Sequence, residues 1–347
     1  MRKWVLCLVI AGFLLIPVSA LEFTAPVAPD EAQQYMPGEQ ETFGQGLWYI
    51  IKTALAEVRP DLAQASKTCL FVIAAVLLLR IVSDFASEAT LTVRVVGAVT
   101  IGVLLLQPVH SMVQLGTQTV TSVSEYGKLL LPVMTAAMAA QGGTTSSAAL
   151  YTGTVIFDSV LSSVISRLIV PAVYIFLCLC VAGSAMDVDM LKKIRDFVKA
   201  LMITCLKWVL YIFTGYIGIT GVVSGTVDAS VLKAAKLTIS SSVPVVGGIL
   251  SDASETILVS AGLMKNAAGV YGIFAVLAIC VGPFLQIGVQ YLLLKLTAGI
   301  CQIFGDKNAV SLVDNFTTGM GIVLAMTGTV CVLLLVSVVC FMKGMNG

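Results

Sequence analysis

The sequence predicts an all-α, multi-spanning membrane protein with about six transmembrane helices and two re-entrant or broken-helix hairpins. Hydrophobic residues make up 58% of the 347, and charged residues only 11%. This charged share is less than half of that in a soluble domain, and the mean hydropathy is +0.99. Long uncharged runs recur along the chain, and ~20 helical residues are enough to cross a hydrocarbon core of ~30 Å.

The amino terminus has the layout of a signal peptide. Arg2 and Lys3 form a charged start, residues 4–16 an apolar middle, and Val18-Ser19-Ala20 a small-residue cleavage site. We therefore expect residues 1–20 to be a cleaved signal peptide. A retained first membrane helix is the alternative.

Residues 21–66 form an acidic segment that we expect outside the cytoplasm. Its first half contains three prolines, which favour an extended chain. From Leu47 to Val58 the apolar residues recur on one helical face. This stretch is either an interfacial helix lying on the membrane or a short helix packed on the bundle.

The spans follow from the spacing of the charged residues. Residues 68–83 carry one charge, Arg80, near the end, where the side chain can reach the membrane surface. The uncharged runs that follow cover 95–124, 129–157, 168–186, 208–227, 266–294 and 315–342. The strongest basic cluster lies in 187–207, which the positive-inside rule places in the cytoplasm. Residues 67–128 then form a first transmembrane hairpin.

Two stretches interrupt the apolar pattern. Residues 129–140 run into a Gly-, Thr- and Ser-rich segment, and residues 240–250 contain Pro244, Gly247 and Gly248. Such backbone fits re-entrant or broken helices, which membranes tolerate only inside protein or beside water. An ordinary extracytoplasmic loop packed on the bundle is the alternative.

An internal duplication with an offset of 112 residues is a further hypothesis. Pro132 pairs with Pro244 and Pro171 with Pro283 at this offset. The two membrane repeat units would be 129–239 and 240–347.

Two polar or small-residue patterns are candidate sites. Asp158 adjoins a serine stripe at helical spacing, which either lines an aqueous path or joins this helix to a neighbour; its members are Ser159, Ser162, Ser163 and Ser166. Glycines every three or four residues predict a helix-packing groove at Gly215, Gly218, Gly221 and Gly225.

Little in the sequence supports catalysis or a cofactor. His110 is the only histidine, no GxxxxGK[ST] phosphate loop occurs, and the net charge is +1. The nine cysteines lie mostly in apolar runs, and we interpret them as packing residues. We expect no metal, no cofactor, no nucleic-acid partner and no enzymatic activity.

The segment Ser241–Glu255, with its Val-Pro-Val-Val-Gly-Gly-Ile-Leu-Ser-Asp-Ala run, resembles the stage III sporulation protein AE family. The resemblance implies a subunit of the channel complex between mother cell and forespore, in the mother-cell-derived membrane around the forespore. It also implies partners: a separate ATPase subunit and ring-forming subunits. The family has no established catalytic residues.

The leading hypothesis for function is a permease-like membrane core of that multiprotein complex. A self-sufficient secondary transporter and a non-transporting membrane scaffold are the alternatives. The near absence of charge in the predicted spans argues against an ion-coupled carrier, which usually keeps a buried acid or base.

Overall fold

A computed structural model describes residues 25–38, 42–85, 90–140, 144–186, 188–219 and 267–346. All regular structure in these parts of the chain is helical. The helices are α1 (Asp30–Gln33), α2 (Phe43–Phe85), α3 (Thr90–Ala140), α4 (Thr144–Val164), a π-helical turn (Ile165–Ile169), α5 (Val170–Met186), α6 (Asp189–Ile219), α7 (Ala267–Phe304) and α8 (Lys307–Asn346).

Among the described residues, six helical segments are long and apolar enough to cross a membrane, and they confirm the predicted fold class. They are Leu62–Phe85, Leu91–Ala139, Ser147–Met186, Asp189–Gly218, Gly269–Phe304 and Lys307–Lys343. The third of them joins α4, the π-helical turn and α5 into one rod.

Successive segments run in opposite directions. Gly97 lies against Leu79, and Gly305 lies against Val76. Ser184 Oγ donates to the carbonyl oxygen of Asn308 at 3.0 Å. The ends of α2, α5 and α7 therefore lie together at one end of the bundle. The basic residues of α6 begin at this end, and we expect it to face the cytoplasm.

The last helix forms the centre of the bundle. In the most apolar stretch of α8, 89% of the residues are buried. In the corresponding stretches of the first segment and of α6, only 17% are buried. A helix that is apolar on every side is stable only where neighbours surround it. Small residues allow the close approach: Gly116 of α3 faces Thr327, and Gly319 of α8 faces Leu177.

The bundle is much taller than a bilayer. The 51 residues of α3 extend over ~75 Å at ~1.5 Å per residue, against ~30 Å of hydrocarbon. Large apolar side chains are exposed mainly in the half near the cytoplasmic end, which we call the belt half. Examples are Leu70, Phe71, Leu78, Ile81, Val95, Val99, Val103, Phe197, Leu292 and Leu296. We infer that lipid surrounds the belt half and that the other half, the outer half, projects beyond the membrane.

A matched pair of lysine substitutions tests this assignment. Leu78 of the belt half and Leu129 of the outer half are almost equally exposed, at 62% and 60%. Leu78→Lys is expected to reduce the amount of membrane-integrated protein, because a lysine that faces lipid costs free energy, up to ~2.5–3.5 kcal/mol at the bilayer centre. Leu129→Lys is expected to leave the amount unchanged. Equal losses in both variants would contradict the assignment.

The helical stretch 47–58 is not a separate interfacial helix. It is continuous with the first span, because α2 runs from Phe43 through Pro60 to Phe85. Ile50, Ala54 and Val58 are buried, so this part of the helix packs on the bundle.

Residues 129–140 of the first predicted hairpin do not form a broken helix either. α3 continues through Pro132 to Ala140, and α4 starts at Thr144. Leu130, Leu131 and Met134 are fully buried in the outer half. Burial against neighbouring helices offsets the hydrogen bond that a proline removes from a helix. The second hairpin, with Pro244, Gly247 and Gly248, lies outside the described residues.

The proposed duplication stays a prediction. Pro171 follows the π-helical turn, whereas Pro283 lies within the uninterrupted α7. The rod 144–186 and helix α7 run in the same direction, and so do α6 and α8. The counterpart of α4 at the 112-residue offset is 256–276, of which 256–266 lie outside the described residues.

One pair of cysteines differs from the sequence-based interpretation. The structure joins Cys280 of α7 and Cys331 of α8 in a disulfide, with their Cα atoms 6.2 Å apart. The prediction that all nine cysteines are packing residues is therefore wrong for this pair. Sequence spacing gave no signal for the bond, because the two residues meet only when the last two helices pack side by side.

Candidate functional site

An amino-terminal strap, residues 25–38, crosses the outer half between α3 and α7. Tyr126 Oη donates to the carbonyl oxygen of Pro26 at 3.2 Å. The backbone N–H of Ala28 donates to Tyr271 Oη at 3.4 Å. The Tyr35 ring is buried against Gly282. Two tyrosine hydroxyls and one ring contact therefore hold the strap on the bundle.

The strap covers a cavity of about 160 Å³ between α3 and α7. Its polar lining comes from three elements: Gln118, Thr119 and Ser122 of α3, Gln286 of α7, and Glu31, Gln34 and Tyr35 of the strap. Glu31, Gln34 and Gln118 are exposed, so the cavity opens at the surface. The site is thus a small aqueous recess in an otherwise apolar bundle.

The polar lining continues along one face of α7. Gln290 lies one turn beyond Gln286, toward the cytoplasmic end, and residues four apart share a helix face. Gln290 is buried, and its Nε2 has no hydrogen-bond partner among the described residues. A buried amide donor without a partner costs about 1–3 kcal/mol. This position is therefore suited to a water molecule or a polar solute next to the belt half.

The lining chemistry suits hydrogen bonding and does not suit metal binding. The polar part of the lining consists of amide, hydroxyl and phenol groups, with Glu31 as the one charged side chain. Within the described ranges, no three His, Cys, Asp or Glu side chains cluster as metal ligands would. The recess can hold water or a small polar group, and it offers no nucleophile and base in contact.

The predicted serine stripe lies on the outside of the bundle. Ser159, Ser163 and Ser166 are exposed and Ser162 is half-buried. Ser166 Oγ donates to the backbone oxygen of Ser162 at 2.8 Å. The structure does not bring the stripe to the cavity, and its role as path or packing surface stays a prediction.

Asp158 points the other way, into the bundle. Ser124 Oγ of α3 donates to its Oδ2 at 2.6 Å. One turn earlier on α4, Thr154 Oγ1 donates to Ser337 Oγ of α8 at 3.2 Å. These contacts form a buried polar cluster between α3, α4 and α8, separate from the strap cavity.

The glycine groove is only partly described. No described residue comes within 4 Å of a Cβ added at Gly215 or Gly218. Gly221, Gly225 and the residues after them lie outside the described residues, so the packing prediction stays a prediction. A different glycine, Gly153 of α4, makes the close contact here: the Tyr216 ring fills the space where its side chain would be.

His110 has a structural environment. Its Nδ1 lies 2.7 Å from Tyr174 Oη, a contact that joins α3 to α5. A histidine tied to a tyrosine across a helix pair fits the interpretation that it is structural.

Sequence reasoning missed the cavity. The available signal was the pair Gln286 and Gln290, spaced four apart within an uncharged run, and the pair Gln118 and Ser122 at the same spacing. Each pair marks a polar face on an apolar helix. The contribution of the strap had no such signal, because its fourteen residues meet α3 and α7 only through the tertiary fold.

Six apolar helical segments, a buried central helix and a small polar recess define a polytopic, all-helical membrane protein. The chain belongs to the stage III sporulation protein AE family, whose family model matches residues 30–344. The family implies a role in sporulation.

A curated relative is the stage III sporulation protein AE of Bacillus subtilis (strain 168), 22% identical over 212 residues. The match covers 61% of this chain and 53% of the relative. The chain thus spans about half the length of the curated relative that it matches. No solved structure matches the chain.

Proposed function

We propose that this chain is a permease-like core subunit of a multiprotein channel or secretion complex that links the mother cell and the forespore. It would reside in the mother-cell-derived membrane around the forespore. The observation that supports this most is the polar recess beneath the strap, because a pure anchor has no need of an aqueous cavity within its helices.

The energy for transport would come from a partner. The sequence holds no GxxxxGK[ST] phosphate loop, so a separate ATPase subunit would supply the work. The tall outer half supports contact with further subunits, such as ring-forming ones, because its surface lies beyond the lipid.

A self-sufficient ion-coupled carrier has less support. Such carriers usually keep an ionisable side chain within the hydrocarbon layer. Among the described residues, Asp158 is the one Asp, Glu, Lys, Arg or His side chain that is buried. It lies 28 residues before the end of α5 at Met186, which is ~42 Å along the rod at ~1.5 Å per residue. This distance places Asp158 beyond the belt half. Lys295 and Asp314 of the belt half are not buried and form an ion pair of 3.0 Å with each other.

Filling the recess tests the proposal. In a spore-forming bacterium that lacks its own copy, Ser122→Phe is expected to assemble with partner subunits but to lose most late forespore gene expression. The added ring would occupy the recess. Co-purification of partners measures assembly, and a reporter under a late forespore promoter measures function.

The control is Thr121→Phe, which places the same ring at the neighbouring exposed position of α3. It is expected to retain both assembly and expression. Full expression in Ser122→Phe would remove the recess from the mechanism and favour the scaffold. If Ser122→Phe loses both assembly and expression while Thr121→Phe keeps both, the scaffold is again favoured.

A further inference from the structure

Asp158 carries the one buried acidic group among the described residues. The side chain lies on α4, meets Ser124 of α3 and is only 4% exposed. Its neighbour Leu161, one turn farther along α4, is fully buried. A carboxyl group with so little exposure has lost most of its contact with bulk water.

The two carboxyl oxygens differ in their bonding. Oδ2 receives the hydroxyl of Ser124 at 2.6 Å, whereas Oδ1 has no hydrogen-bond partner among the described residues. A carboxylate shares its charge over both oxygens and needs hydrogen bonds at each. An ionised group with one buried oxygen left bare is strongly disfavoured, and such a group takes up a proton instead. In the neutral acid, the oxygen without a partner carries no charge, so the cost of leaving it unpaired is smaller.

The charged groups on the helices around Asp158 do not neutralise it by contact. Lys128 of α3 attracts the carboxyl group, but it is exposed and makes no ion pair with it within 4 Å among the described residues. Glu125 of α3 and Arg167 of the π-helical turn are exposed.

The remaining two helices bring no close cation either. On α8, the Ser337 hydroxyl accepts a hydrogen bond from Thr154, and on α6 the Tyr216 phenol donates to the backbone oxygen of Ala149. The charged side chains of these helices are farther along them: Lys343 of α8 lies six residues beyond Ser337, and Lys207 of α6 lies nine before Tyr216.

We propose that Asp158 is a proton-binding site that controls the contact between α3 and α4. With the neutral acid, α3 and α4 pack against each other, and Asp158 Oδ2 stays hydrogen-bonded to Ser124. Loss of the proton puts a charge in the buried cluster, and the charge draws water between the two helices and loosens them. The ligand is the proton, and the site is distinct from the strap cavity.

The direction of the pH effect follows from linkage. The folded bundle holds this proton more tightly than the unfolded chain does. Asp158 therefore does not weaken the fold at pH values below the ordinary carboxyl range, and it destabilises the fold increasingly as the pH rises above that range. Asp158→Asn resembles the neutral acid in shape and removes this loss of stability.

The experiment uses the full-length protein purified in detergent. Thermal unfolding is measured from acidic to mildly alkaline pH for the wild type, for Asp158→Asn and for Glu125→Gln. The matched control, Glu125→Gln, makes the same change of chemistry at an exposed acid one residue from Ser124. The difference between the wild type and each variant cancels the contributions of all other titrating groups.

We expect Asp158→Asn to fold as well as the wild type at low pH and to be more stable than the wild type at high pH, with Glu125→Gln following the wild type throughout. Infrared spectra at a pH just above the ordinary carboxyl range should show a protonated-carboxyl band that is lost in Asp158→Asn and kept in Glu125→Gln. An Asp158→Asn variant that is unfolded, or less stable at every pH, would overturn the proposal, because Asp158 would then act as a charge paired with Lys128. Absence of the infrared band would overturn it as well.

The proposal does not rest on the proposed function. Both readouts concern the purified protein, so a failure of the recess experiment leaves this result unaffected, and the reverse also holds.

Discussion

Leu334→Lys is expected to prevent the bundle from accumulating in the membrane. Leu334 is fully buried in the central helix α8, where its side chain lies against Gly127 of α3. Gly127 has no side chain that could pair with a cation. An unpaired charge in such a position costs several kcal/mol, which is comparable to the whole stability of a typical protein, ~5–15 kcal/mol. The amount of full-length protein in isolated membranes measures the effect.

The control substitution is Leu334→Met, which keeps volume and polarity. A swap of this kind usually costs less than ~1.5 kcal/mol, so the protein should accumulate nearly as the wild type does. If Leu334→Lys accumulates as well as Leu334→Met, α8 is not the buried centre of the bundle.

Gly153→Leu is expected to separate α4 from α6. The ring of Tyr216 occupies the space that the new side chain would need, and its hydroxyl donates to the backbone oxygen of Ala149 at 2.7 Å. Phe157 packs edge-on against Phe213 in the same contact, with ring centroids 5.5 Å apart. Displacing Tyr216 removes the hydrogen bond and disturbs both rings, for a loss of about 3 kcal/mol or more. Thermal unfolding in detergent should show a clear fall in midpoint.

Gly215→Leu is the matched control, because it adds the same side chain next to Tyr216 at a position where no described residue lies within 4 Å of the added Cβ. The purified protein should unfold at nearly the wild-type temperature. If the unfolding midpoint falls equally in both variants, the loss of stability comes from replacing a helix glycine and not from the contact with Tyr216. If Gly215→Leu is stable when purified but fails to assemble in cells, a partner helix occupies the groove that the glycine spacing predicted.

The helical spans were accessible from sequence because each one is a local property. A run such as 315–342 carries no charge over a length that is sufficient to cross a membrane. Its transfer from water into lipid is therefore favourable whatever its neighbours are. The lengths of the helices were less accessible. Pro60, Pro132 and Pro283 lie inside continuous helices, whereas a proline in isolation indicates a break. Packing around the prolines decided the outcome, and the sequence pattern does not contain that packing.

The candidate sites, too, were only partly accessible from the sequence. Asp158 and its serines were visible as a polar stripe, but the sequence could not place the aspartate inside the bundle and the serines outside. That depends on which neighbour each face meets, and Ser124 is 34 residues away in the chain. The cavity depends on still more distant segments, since the strap and α7 are joined by the bond from Ala28 to Tyr271.

By itself, the sequence determined that the protein is helical and resides in a membrane, because apolar composition acts through the transfer free energy of each segment on its own. It also determined that the chain supplies no phosphate loop. The tertiary structure alone decided that α8 is central, that exposed large apolar side chains concentrate in the belt half, that the strap covers a recess with polar groups and that Asp158 is buried against Ser124. The physical reason is that the free energy of a buried polar group depends on the partners that packing brings to it, and those partners come from distant parts of the chain.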